Sequence, residues 1–182
     1  MSKKRKQKKN QSLLTKVGAG LALIAIAVFV ILKFTGETKI QTGKKNKSTD
    51  YQTFTFTKHG ELTFTKANGD FITRIDIEIA DDDAERTQGL MYRSKMKEDR
   101  GMLFIFPKET YQSFWMHNTQ IPLDMIFINK ENKIVTIHNN TTPFSDQSYP
   151  STQPAIYVLE VNAGFCEKYG VTVGDMIVWR RI

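Results

Sequence analysis

Cysteine is nearly absent from this chain. Cys166 stands alone, so no internal disulfide can form and no CxxC redox pair exists. Histidine is almost as scarce: His59, His117 and His138 are scattered, with no HxH, HExxH or HxxxH pair, which argues against a conventional zinc site. There is no internal repeat and no alternation of strand and helix patterns, so a dinucleotide-binding sheet is not expected. Acidic residues are missing from positions 1–16, and outside one stretch there is no long apolar run.

The basic excess is local. Lys3, Lys4, Arg5, Lys6, Lys8, Lys9 and Lys16 account for the formal charge of +7, leaving 19 basic against 19 acidic residues. The rest offers no bulk electrostatic footprint for phosphates, and no nucleic-acid partner is expected. The apolar run VGAGLALIAIAVFVIL (17–32) would be about 24 Å long as a helix. Lys16 and Lys33 can snorkel outward, and Leu13 and Leu14 can extend it, so it reads as a membrane span. A cleaved signal peptide with small residues at Ala25-Ile26-Ala27 is the alternative.

These features divide the chain into a basic cytoplasmic arm (1–16), a single transmembrane anchor (17–34), a flexible polar linker (35–52) and a domain (53–182). Positive charge stays inside, so the expected location is the cell membrane, N-terminus cytoplasmic and domain extracytoplasmic, or periplasmic in a two-membrane bacterium.

Within the domain, Phe54-Thr-Phe56 and Leu62-Thr-Phe64 flank Lys58-His59-Gly60 as a hairpin would. After Asn68-Gly69, Ile75, Ile77 and Ile79 alternate with Arg74, Asp76 and Glu78, a strand with one apolar face. Asp81 to Asp83 cap a short helix over 84–90. Further strands are predicted over 102–106, stopped by Pro107, and over 114–116, 125–129, 133–138, 156–161 and 176–180. The list predicts a mainly β domain, a jelly-roll-like sandwich or open barrel with one or two short helices.

Several side chains could carry chemistry. Asp124 and Glu160 lie among apolar strand residues, where each must find a donor or face solvent; meeting in one cleft, they could act as acid and base of a hydrolase. Pairing with Arg86 or Arg93 would explain them without catalysis. Trp115 with Asn118 and Thr119 could stack on and grip a sugar, although Asn118 to Pro122 also suits a turn. Met91, Met96, Met102, Met116 and Met125 with His117 are a weaker candidate for copper, since methionine more often fills cores.

Four motifs in order, ERTQGLMYR (85–93), GMLFIFP (101–107), FWMHNTQIPLD (114–124) and LEVNAG (159–164), closely resemble the Domain of Unknown Function 192 family over about 72–178. The resemblance implies a compact, mainly β, jelly-roll-like domain, frequently exported behind a signal peptide or anchor in bacteria, and brings no established activity, cofactor or catalytic residue. His117 stands where the family pattern carries Lys or Arg. The candidate ligand-binding residues are Arg86, Arg93, Trp115, His117, Asn118, Asp124 and Glu160. Strand alternation would put Trp115 and His117 on one face and Met116 and Asn118 on the other. The expected function is binding of a small polar ligand, envelope saccharide or protein partner rather than catalysis, with no cofactor and no metal.

Overall fold

The computed structural model describes residues 54–182, which lie in one unit, Tyr51–Ile182. The arm, the anchor and the linker fall outside the described residues. No helix among the described residues is long and apolar enough to cross a membrane. The elements run β1 (Gly60–Thr65), β2 (Phe71–Ala80), α1 (Asp83–Gln88), β3 (Arg100–Thr110), β4 (Ser113–Phe114), β5 (Leu123–Ile128), β6 (Ile134–His138), β7 (Tyr149–Pro150), β8 (Ala155–Asn162), α2 (Phe165–Tyr169) and β9 (Met176–Arg181).

β1 and β2 form a hairpin whose turn closes with Gly69 N–H donating to Lys66 O at 2.8 Å. Gly69 takes φ 94° there, a conformation that costs glycine little. The hairpin expected around Lys58-His59-Gly60 does not form. His59 N–H donates to Ile77 O, and His59 Nδ1 accepts from Ile79 N–H, so this segment runs alongside β2 instead of reversing.

Seven strands make one sheet in the order β6-β5-β8-β3-β2-β1-β9, while β4 and β7 form a separate two-stranded ribbon. All neighbours in the large sheet are antiparallel except β2 and β3, which are parallel, with α1 in the crossover between them. That pair departs from the jelly-roll expectation, since parallel neighbours need a crossover that a hairpin cannot supply. The sheet curls until the start of β6 meets the start of β9, where Lys133 bridges Met176 and Ile177 N–H donates to Asn132 O. Ile134 N–H also donates to Asp175 O at 2.8 Å. The result is an open, curled sheet. β3 continues through Pro107 because its pairing with β8 is irregular between Ile105 and Thr110, where a missing backbone N–H is tolerated.

Each face of this sheet has its own apolar core. The inner core draws on all seven strands, through residues such as Phe64, Ile77, Leu103, Ile126, Ile134, Leu159 and Ile177, and includes Phe165 and Cys166 of α2. The outer core holds Met102, Phe104, Met125, Phe127, Val135 and Val158, covered by Leu90 and Met116 from the connecting segments and Tyr149 of β7. Double coverage explains why β5 is buried at every position although its faces alternate.

Candidate functional site

Glu160 points from β8 into the outer layer. Its cross-strand neighbours are Met102 on β3 and Met125 on β5, so thioether side chains stand to either side of the carboxyl. The residue is 5% exposed. Burial pushes its pKa up to about 8, and the attraction of Arg93 only partly offsets this. At pH 7 Glu160 is therefore mostly a neutral acid, and it has no hydrogen-bond partner among the described residues.

Two residues beside it are already paired. Glu78, opposite Met102 on its other side, accepts from Arg93 Nη1 and from Thr57 N–H. Both members of the Glu78–Arg93 ion pair are largely buried. Arg93 Nε is buried with no partner among the described residues. The arrangement is thus two acids served by one guanidinium.

Glu160 forms part of the lining of a cleft of about 330 Å³, whose apolar walls include Leu90, Phe104, Phe106, Phe114 and Trp115. Phe114 packs edge-on against Phe104 and Phe106 with centroids 5.0 and 6.1 Å away. α1 supplies the opposite side. Asp82 caps this helix by accepting from Glu85 N–H at 2.7 Å. Gly89 ends it at φ 45°, where an added Cβ would stand 3.1 Å from the Phe104 ring, so this corner closes on the sheet only with glycine. Arg86 donates to Asp81 O, Ile105 O and Asp83 Oδ1. It ties α1 to β3 and lines the cleft without offering a free charge.

The Trp115 segment forms the rim. β4 stops at Phe114, so the expected strand over 114–116 is shorter. Trp115 is 53% exposed and stacks on His117 with centroids 5.0 Å apart, although this segment lies beyond the strand. His117 Nδ1 lies 2.7 Å from Asp146 Oδ1. Asn118 takes φ 53° and donates from Nδ2 to Tyr92 Oη at 2.8 Å. These contacts hold the rim; His117, Asn118 and Arg93 do not line the cleft.

Asp124 belongs to the other side of the sheet. It pairs with Val161, an inner-core residue, and is fully buried. Its carboxylate accepts from the N–H groups of Asn140, Gly164 and Cys166 at 2.9, 3.2 and 2.9 Å. It thereby caps α2, whose own N-cap, Gly164, has no side chain to do so. Asp124 and Glu160 are therefore not an acid–base pair, and the two-carboxylate hydrolase expectation does not fit this geometry. The expected pairing of Arg86 or Arg93 with these acids does not form as a hydrogen-bonded ion pair: Arg86 binds Asp83 and Arg93 binds Glu78, and only the charge of Arg93 acts on Glu160.

Met102, Met116 and Met125 are buried in the outer core, and Met116 Sδ accepts from Thr141 Oγ1, which suits the core-filling reading. No cluster of three or more His, Cys, Asp or Glu suited to a metal occurs among the described residues. Of the predicted site residues only Arg86, Trp115 and Glu160 line the cleft, and the apolar wall residues Leu90, Phe104, Phe106 and Phe114 are among those that sequence reasoning left out. A signal for two of them was available: in Gly101-Met-Leu-Phe-Ile-Phe106, alternation puts Phe104 and Phe106 on the side of Met102, the neighbour of Glu160.

The chain is similar to UPF0127 protein PF1050 of Pyrococcus furiosus, 31% identical over 111 residues that cover 60% of this chain and 90% of that one. Among crystal structures, it is similar to a candidate transcription regulator from Sinorhizobium meliloti 1021, at 38% identity and a TM-score of 0.65, covering 69% of this chain and 98% of that one. A protein of unknown function from Novosphingobium aromaticivorans is 33% identical with a TM-score of 0.62, covering 65% of this chain and 84% of that one. The family model DUF192, "Uncharacterized ACR", matches residues 63–179, the stretch that builds both cores and the cleft, and the chain belongs to that family.

Proposed function

We propose that this protein is a non-catalytic binding domain for a small ligand, held at the outer side of a membrane by residues 17–34, with the Glu160 cleft as its site. The observation that carries this reading is Glu160 itself: an unpartnered acid, 5% exposed, in the lining of an aromatic-walled cleft. A carboxyl group mostly withdrawn from water costs stability, and no hydrogen bond from a described residue gives a reason for one here. A ligand that supplies the partner does. The exposed Trp115 at the rim can lie against the ligand's apolar side.

The S. meliloti relative raises DNA as a partner. The described helices have only 6 and 5 residues, too short to serve as a recognition helix in a major groove, and a small ligand suits the cleft better.

The test is a thermal-shift screen of the full chain against sugars, amines, small acids and metal ions, run beside Thr87→Trp, which plugs the cleft from exposed α1. A ligand that binds only the folded state raises the melting temperature, and the plug should abolish the rise. Hits that survive the plug, or no hit at all, would count against the cleft. A phosphatase fused after Ile182 should be active only if the domain is exported.

A further inference from the structure

We infer that the ligand of the Glu160 cleft is an organic amine, its ammonium held by the Glu160 carboxylate and its apolar body by Phe106, Phe114 and Trp115. This rests on the cleft being the binding site, and it names what binds there.

The first argument comes from which polar groups remain open. Thr119 Oγ1 donates to His117 O, Thr87 Oγ1 to Asp83 O, and Ser113 shares a hydrogen bond with Ser148. Arg86 is spent on two carbonyls and Asp83. Of the polar side chains in this lining, only the exposed Gln88 and the buried Glu160 make no hydrogen bond to another described residue. A saccharide needs many partners for its hydroxyls, whereas an amine with an apolar body needs one acid and an apolar wall.

The second argument is charge. Glu78 and Glu160 flank Met102, and Arg93 alone serves both. With Glu160 ionised, the group is one positive charge short. The only basic side chain in the cleft lining, Arg86, is already neutralised by Asp83, so an anionic ligand would find no free cation. An ammonium would supply the missing charge, and aromatic rings favour cations near their faces.

The charged group acting on Glu160 is Arg93, itself paired with Glu78; Arg86 and Asp83 of α1 line the same cleft. Met102 and Met125 beside it are uncharged, with His138 one strand beyond Met125. Binding is then a balanced exchange. The Glu160 O–H bond breaks, the proton leaves to buffer, and the carboxylate forms as the already protonated amine enters.

The experiment is calorimetric titration of the full chain with 2-phenylethylamine, its uncharged counterpart 2-phenylethanol, phenylacetate and glucose. The amine should bind about tenfold or more tighter than the alcohol, the scale of one charge-assisted hydrogen bond. Titrations near pH 6.5 in buffers of different ionisation enthalpy should show release of about one proton, fading above about pH 9. Glu160→Gln should weaken the amine about tenfold, with a melt confirming that the variant is folded. The inference is overturned if the amine fails to bind, if the alcohol, phenylacetate or glucose binds as well, or if Glu160→Gln has no effect. Should a non-amine bind and Thr87→Trp abolish it, the cleft stands and only the amine falls. Binding that survives Thr87→Trp removes both.

Discussion

Asp124 and Glu160 sit on adjacent strands one step out of register: Asp124 faces Val161, and Glu160 faces Met125. Because side chains alternate along a strand, that single step sends them to opposite faces. Asp124 meets three backbone N–H groups, while Glu160 meets a cleft and no partner. One is hydrogen-bonded within the fold and structural; the other makes no hydrogen bond to a described residue and opens onto the cleft.

Asp124→Ala should therefore be the most damaging change to either acid. It removes an acceptor shared by the Asn140, Gly164 and Cys166 amides and leaves them in a buried setting, at a cost of about 3 kcal/mol or more. Urea denaturation should show the loss, together with weaker amide protection in α2. A cost below about 1 kcal/mol would mean that water or a neighbour replaces the carboxylate.

Glu160 should make stability depend on pH in an unusual direction. Its folded pKa of about 8 lies above the ordinary carboxyl value of 4.5. Below about pH 4.5 both states hold the proton, and burial carries no electrostatic penalty. Between the two values the unfolded chain releases the proton and the folded one keeps it, so stability falls by about 1.4 kcal/mol per pH unit. Above about pH 8 the loss levels off. Glu160→Gln lacks this contribution, so its stability relative to the natural protein should climb from pH 5 to 8 in parallel denaturation curves. A constant difference would mean that the carboxyl is ionised in the fold at neutral pH.

Arg93 and Glu78 should behave as a unit. Arg93→Met strands a buried carboxylate and should cost about 3–5 kcal/mol, whereas Glu78→Leu combined with Arg93→Met should recover much of it. A double-mutant cycle measures this directly. Simple additivity would show that the two side chains do not depend on each other.

Much of this was legible in the residues. Ile75, Ile77 and Ile79 announced the apolar face of β2 by period alone, and Asp124 and Glu160 stood out as acids that needed donors. What could not be read was which donors. Arg93 finds Glu78 because β2 and β3 run parallel with the α1 segment between them, and parallel pairing leaves no local signal comparable to the Asn68-Gly69 turn. α2 was missed for a similar reason: its cap comes from Asp124, 42 residues from Cys166, while the local N-cap is a glycine. The run MLFIF is apolar throughout because both faces of the sheet are covered, so alternation separates Phe104 and Phe106 from Leu103 and Ile105 but does not say which of the two faces opens into a cleft.

Cys166 should be inert in the folded protein. It is 2% exposed, and burial, followed by the neighbouring Asp124 charge and a hydrogen bond to it, pushes its thiol well above the ordinary range. The reactive species is the thiolate, so both access and ionisation oppose reaction. Ellman's reagent at pH 8 should modify no more than a trace in the native state and one thiol per chain in denaturant. In Asp124→Ala the charge that disfavours the thiolate is gone and α2 has lost its cap, so labelling should accelerate by well over tenfold as local opening exposes the sulfur. Rapid labelling of the natural protein would show that α2 opens readily, and that Asp124 does not hold it.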